Sequence, residues 1–276
     1  MARAATSIAL AAGALLLAAD PVALPGHAFA DESDIAVDIE LVLAVDVSRS
    51  MMAEELAIQR RGYVEALADP SIASAILGGR HRRVALTYVE WSGNIEQRVV
   101  LPWRLIASAD DARRFAEDLG AAPANRSFRT SVSSALRFSA GLFDGNGFES
   151  DSRIIDISGD GANNDGGPVE IARDEVVASG ITVNGLPIVT GLGLIGRVEF
   201  ADVEGFYRNC VIGGPGAFAI AVREWPQFGE AVRRKLQLEL SGARIPEVDA
   251  VSPFIPAAGF DCLAGERLWN LQHGRS

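Results

Sequence analysis

Lysine is nearly missing from this sequence. Lys235 is the only one in 276 residues, and the rest of the 25 basic residues are arginine. Lysine-based catalysis and a phosphate loop built on a lysine are thereby all but excluded. Histidine is as scarce, and beyond the first thirty positions only His81 and His273 remain. His81 sits among Arg80, Arg82 and Arg83, the composition of a solvated turn, and His273 stands close to the C-terminus. With no Gly-x-Ser-x-Gly elbow either, a hydrolytic triad finds no support. The two cysteines, Cys210 and Cys262, have no histidine near them and do not make a zinc site. Positive charge is short overall: the formal net charge is −11. That argues against nucleic acid or an anionic membrane as the main partner, since both call for clustered Lys and Arg. It suits cation binding, although a solvated acidic surface accounts for it equally well.

Long apolar runs are also lacking. Ile8 to Ala19 is the longest and is too short to span a bilayer. Arg3 precedes it, Pro21 and Pro25 follow, and Ala28-Phe29-Ala30 stands ahead of Asp31-Glu32. This is the pattern of a signal peptide over residues 1–30, with an uncleaved anchor as the alternative. The mature chain then begins near Asp31, periplasmic or secreted, without stable membrane insertion. Export makes a Cys210–Cys262 disulfide the default, against two unpaired buried thiols. It would close a loop of roughly fifty residues and contribute about 4 kcal/mol by the loop-entropy model.

With 49% hydrophobic and 22% charged residues, the composition supports a sizeable core. Asp38 to Val45 becomes continuously apolar, as in a strand buried on both faces. Met52 to Ala68 has apolar residues at 52, 56, 63 and 67, one face of a helix, and Asp69-Pro70 ends it. Further strands are expected at Arg83–Trp91, Glu96–Leu101, Arg153–Ser158, Ile181–Ile188 and Ala217–Val222. Helices are expected at Asp110–Leu119, Thr130–Phe143, Pro168–Ser179 and Gln227–Leu240. The alternation predicts an α/β fold, doubly wound, with a mostly parallel central sheet and helices on both faces. One domain is expected over 31–245, followed by an irregular extension over 246–276 packed on it through Cys262.

Asp46-Val47-Ser48-Arg49-Ser50 closes the first long strand. In an open α/β sheet, ligands bind beyond the carboxyl ends of strands. One carboxylate and two hydroxyls alternating there can aim three oxygens into one small volume. Such a set suits a hard cation such as Mg2+, Ca2+ or Mn2+, and not zinc. Thr130, opening a helix after a loop, and Asp160, after the strand at 153–158, reach the same edge. The plainer account is that Ser48 and Ser50 cap the helix that follows.

Asp-x-Ser-x-Ser, a downstream threonine and a later Asp-Gly resemble the metal-ion-dependent adhesion site of von Willebrand factor A domains. The resemblance spans about Ile39 to Leu240. Leu43 to Met51, Ile155 to Asn164 and Cys210 to Phe218 further resemble an uncharacterised family of exported bacterial proteins with this fold. The resemblance implies a Rossmann-type sheet. It assigns the metal to Asp46, Ser48, Ser50, Thr130 and Asp160, the hydroxyls ligating directly and the two acids often through water. Two carboxylates and neutral hydroxyls leave a divalent cation under-neutralised, with one position open to water that a partner's carboxylate can replace. The reading is therefore a non-enzymatic binding module for a protein partner, with Mg2+ preferred to Mn2+ or Ca2+. A metal-assisted hydrolase and a scaffold with a vestigial site are the alternatives.

Several neighbours carry weaker signals. Asp156, inside an apolar strand, is either an acid that supports the metal ligands from behind or a buried hydrogen-bonding group. Asn163, Asn164 and Asp165 either shape the partner surface or form a turn, the plainer reading. Trp91 is core or an exposed partner anchor, and Glu90 stands beside it. Gly191-x-Gly193-x-x-Gly196 spells a dinucleotide fingerprint, but no acid ends a following strand, so a loop is the better account.

Overall fold

Residues 40–46, Glu-Leu-Val-Leu-Ala-Val-Asp, form the middle strand of a five-stranded sheet, and all seven are buried. The computed structural model describes residues 1, 34–190, 202–241 and 259–274. The chain divides into Met1–Ser33 and Asp34–Ser276, and the fold is that of the second unit. The expected signal sequence, the Gly191–Gly196 run and residues 242–258 lie outside the described residues.

In chain order come β1 (Ile35–Ala36), β2 (Glu40–Asp46), α1 (Ala53–Ala68), α2 (Pro70–Leu77), β3 (Val84–Trp91), β4 (Gln97–Ile106), α3 (Ala109–Ala121) and α4 (Val132–Gly141). After them come β5 (Phe148–Glu149), β6 (Arg153–Gly159), α5 (Val169–Ala178), β7 (Ile181–Pro187), α6 (Val203–Phe206), α7 (Phe228–Leu240) and α8 (Ala264–His273). A π-helical turn, Tyr207–Val211, follows α6, and a 3-10 turn, Trp225–Gln227, leads into α7. The main sheet runs β4-β3-β2-β6-β7, with β1 and β5 paired apart from it. β2, β3, β6 and β7 are parallel, and β4 is antiparallel to β3 at the edge. The expected fold class is the observed one.

The period of two in β2 explains why both faces are covered. Leu41, Leu43 and Val45 pack with Tyr63 of α1, Phe115 of α3 and Phe228 of α7. Val42 and Ala44 pack with Leu136 of α4, Ala172 of α5 and Phe206. Each leucine, valine and phenylalanine among them stabilises the fold by about 1.5–3 kcal/mol relative to exposure. The chain leaves β2 toward β3 on one side and returns to β6 on the other. The switch point therefore lies between the carboxyl ends of β2 and β6.

Departures from the sequence reading have local causes. Asp69-Pro70 ends α1 but also starts α2: Asp69 Oδ1 accepts from the Ser71 N–H at 2.8 Å, and Pro70 takes the first helical position. β4 runs on through Pro102 to Ile106, which an edge strand tolerates. Ala217–Val222 is not a strand; it makes isolated bridges at Ala219 and Val222 beside β7. Pro187 of β7 has no N–H to continue a ladder there. The extension is not wholly irregular, since α8 follows Cys262, which is bonded to Cys210. Trp91 is core, with no exposed surface. Glu90 is buried and ion-paired with Arg60 and Arg98.

The sole lysine has a structural partner set. Lys235 Nζ lies 2.7 Å from Asp156 Oδ1 and also pairs with Glu239, one turn along α7. All three side chains are buried. Asn184 of β7 donates to Glu239 at 2.9 Å. Asp156 is thus an anchor between β6 and α7.

Candidate metal centre

Four loops meet at the carboxyl end of the sheet, and backbone hydrogen bonds stitch them together. Ser127 N–H donates to Val47 O at 3.0 Å, Ser131 N–H to Ser92 O at 2.6 Å and Asn164 N–H to Thr130 O at 2.8 Å. The loops after β2, β3 and β6 are thereby tied to the segment ahead of α4. All five residues expected to ligate a metal stand on these loops or at the strand ends that feed them.

Asp46 is the last residue of β2 and is fully buried. Its Oδ1 accepts from the Ser48 N–H at 2.7 Å, a turn that swings the chain so both serine hydroxyls face the same way. Ser48 Oγ and Ser50 Oγ are 2.8 Å apart, and Ser50 Oγ donates to Asp160 Oδ1 at 2.6 Å. Neither serine caps α1: the N-cap is Met52, and Glu55 Oε2 accepts from its N–H at 2.7 Å. Gln59, in the second turn of α1, donates to Asp46 O at 2.8 Å and fixes the strand end.

Thr130 is buried, and its backbone is clamped to the loop after β6 on both sides. Its N–H donates to Asn164 Oδ1 at 3.0 Å, while its carbonyl takes the Asn164 N–H. A Cβ placed on Gly161, the neighbour of Asp160, would stand 4.0 Å from Thr130 Oγ1. Asp46, Ser48, Ser50 and Asp160 are thus joined in one hydrogen-bonded chain, with the Thr130 side chain beside the residue after Asp160.

The electrostatics are those of two carboxylates sharing a site. Burial, and then the Asp160 carboxylate, hold the Asp46 carboxyl well above the ordinary range, opposed by the Ser48 and Asp160 N–H groups. Asp46 Oδ2 is buried with no hydrogen-bond partner. The Tyr207 hydroxyl is buried and unpartnered too. A Cβ on Gly159 would come within 2.9 Å of Asp46 Oδ2 and 2.7 Å of Tyr207 Oη, so glycine keeps that space open. Burial, and then Asp46, raise the Tyr207 phenol as well.

Sequence reasoning does not find Asn164, Gln59, Gly159 or Tyr207. Asn163-Asn164-Asp165 reads as a turn from composition, but each side chain ties loops together. Asn163 Oδ1 accepts from Ser133 N–H at 3.1 Å and its Nδ2 donates to Glu266 of α8 at 2.7 Å. Asp165 accepts from Asn94 N–H at 3.0 Å and pairs with Arg129 at 3.2 Å. Gln59 and Tyr207 carry no signal, because their roles depend on contacts distant in sequence.

The family model described as "Protein of unknown function (DUF1194)" matches residues 36–244. No curated protein matches the chain in sequence. Among solved structures, proximal thread matrix protein 1 from the mussel byssus is 16% identical with TM-score 0.54, covering 75% of this chain and 49% of its own. The same protein with a zinc-occupied MIDAS motif gives the same TM-score of 0.54 at 16% identity, with 75% and 49% coverage. The pilus adhesin SpaC from Lactobacillus rhamnosus GG, in its open conformation, is 14% identical with TM-score 0.53, covering 74% of this chain and 30% of its own. The chain spans about half the length of the mussel protein and less than a third of SpaC. At these identities the likeness concerns the fold, which is of the von Willebrand factor A type.

Proposed function

The chain belongs to the DUF1194 family, and from that premise we propose that it is an exported binding module whose grip on a protein partner depends on a divalent cation. The observation that carries this reading is the convergence of Asp46, Ser48, Ser50 and Asp160 into one hydrogen-bonded set at the switch point of the sheet. The donor set fits the ion. Asp46 Oδ2 is buried without a partner, and the Asp46 and Asp160 carboxylates raise the cost of each other's charge. A cation relieves both. Oxygen donors alone favour a hard ion, Mg2+ ahead of Mn2+ or Ca2+. In the mussel protein a MIDAS motif holds zinc, which lends support to a divalent ion at this position of the fold.

Ser48, Ser50 and Thr130 would offer neutral hydroxyl oxygens, and Asp46 and Asp160 carboxylates. When bound, the cation supplies an electrophilic position that a partner's carboxylate can take from water. The residues do the rest: Gln59 and the Ser48 N–H hold Asp46, and Asn164 holds Thr130. Among the described residues no helix is long and apolar enough to cross a membrane. With residues 1–30 as a cleaved signal, 31–245 would work in the periplasm or outside the cell as a non-enzymatic domain, and 246–276 as its extension.

Calorimetric titration with Mg2+ and with Mn2+ tests the reading. The wild-type chain is expected to bind one ion and Asp46→Ala none; equal affinity in the two sinks the assignment.

A further inference from the structure

The rim of this centre is basic, on a chain whose net charge is −11. Arg49, between the two serines, is exposed, and its guanidinium lies 4.2 Å from the centre of the Phe128 ring. Phe128 is itself 60% exposed, which is unusual for a phenylalanine. Arg126 is exposed and, among the described residues, donates to the backbone carbonyls of Arg49 and Met51. Arg129 lies 4.7 Å over the Trp269 ring of α8 and pairs with Asp165. Its φ of +66° is left-handed, a conformation that non-glycine residues seldom adopt. That turn points Phe128, Arg129 and Thr130 in different directions within three residues. Strain held at such a place is what a functional surface retains.

Among the described residues, Arg49 and Arg126 have no carboxylate partner. Stacking on Phe128 restricts the Arg49 guanidinium, so less freedom is lost when it meets an anion. The three arginines stand beside the carboxylates of Asp46, Asp160, Asp165 and Glu96, the last accepting from the Ser127 side chain and the Phe128 N–H. With the divalent cation of the preceding reading, on which this step rests, the patch carries one net positive charge. The net charge of −11 disfavours an acidic partner in general, so a basic rim gives such a partner a preferred place.

We propose that Arg49, Arg126 and Arg129, with Phe128, form a docking rim for an acidic polypeptide segment, which places one carboxylate at the metal centre and its neighbouring carboxylates on the arginines. Fluorescence anisotropy with labelled poly-L-glutamate as the probe, in the presence of Mg2+, tests this. Arg49→Glu is expected to weaken probe binding by about tenfold or more, since a like charge then faces the ligand. Arg49→Gln, a milder change at an exposed site, is expected to weaken it by about threefold to tenfold. Arg82→Glu, at the opposite end of β3, should leave binding within about twofold. Mg2+ titration of each variant separates the two readings: Arg49→Gln should still bind one ion, whereas Asp46→Ala should bind none. Absence of binding by the wild-type chain, equal losses in Arg82→Glu and Arg49→Glu, or tighter binding of dextran sulfate than of poly-L-glutamate would each overturn the proposal. If no ion binds yet the probe still needs Arg49, the rim stands and the metal reading falls.

Discussion

The buried cluster of Lys235, Asp156 and Glu239 sets one positive group against two negative ones where solvent does not reach. Its charge balance calls for a proton. Burial, and then the Asp156 carboxylate, push the Glu239 carboxyl from its ordinary 4.5 up to about 8, against the pull of Lys235. A carboxyl that titrates higher when folded holds its proton better in the folded chain. Its contribution is complete below about 4.5 and is lost as pH rises through about 8. The slope is about 1.4 kcal/mol per pH unit, so the whole interval amounts to at most about 5 kcal/mol. Glu239→Gln removes the titration, keeps an oxygen for Asn184 and leaves Lys235 paired with Asp156. Urea unfolding of both chains from about pH 5 to about pH 8 is the assay. The variant should gain on the wild type as pH rises, by about 1 kcal/mol per unit. Parallel stability curves would refute the reasoning, because they would mean Glu239 titrates alike in the folded and unfolded chains.

Three further outcomes follow from the same structure. Gly159→Ala puts a methyl within 2.9 Å of Asp46 Oδ2 and Tyr207 Oη; it should destabilise by about 1–3 kcal/mol on thermal unfolding and weaken Mg2+ binding. Removing the Cys210–Cys262 link by the double change to alanine should lower the unfolding free energy by about 4 kcal/mol, and a reductant should then have no further effect. Phe228→Ala, which strips a fully buried ring from between Tyr63 and Trp225, should cost about 3–5 kcal/mol in chemical denaturation.

What the sequence shows and what it hides divide by range. The parallel strands are legible because each is a short apolar run that needs no partner to be recognised. Asp46-x-Ser48-x-Ser50 is legible because its three side chains are neighbours in the chain. Thr130 and Asp160 come into view because they open a helix and follow a strand at the same sheet edge, and the Ser50–Asp160 hydrogen bond brings the distant acid to the serines. The partner of Lys235 is not legible: Asp156 sits inside an apolar strand, and only the packing of α7 on the sheet supplies its counter-ion. α2 is hidden because Asp-Pro is both a stop and a start. α8 is hidden because its amphipathic pattern follows a proline-bearing stretch. Asn164 is hidden because asparagine in a turn needs no further explanation until Thr130 is found clamped to it.

Anomalous diffraction from crystals grown with Mn2+ tests the metal centre most directly. One strong peak is expected beside Ser48 Oγ and Ser50 Oγ, with Thr130 Oγ1 within the ion's coordination sphere and Asp46 and Asp160 next to it. A peak elsewhere on the molecule, or none at this position with the hydroxyls still bonded to each other, would contradict the assignment.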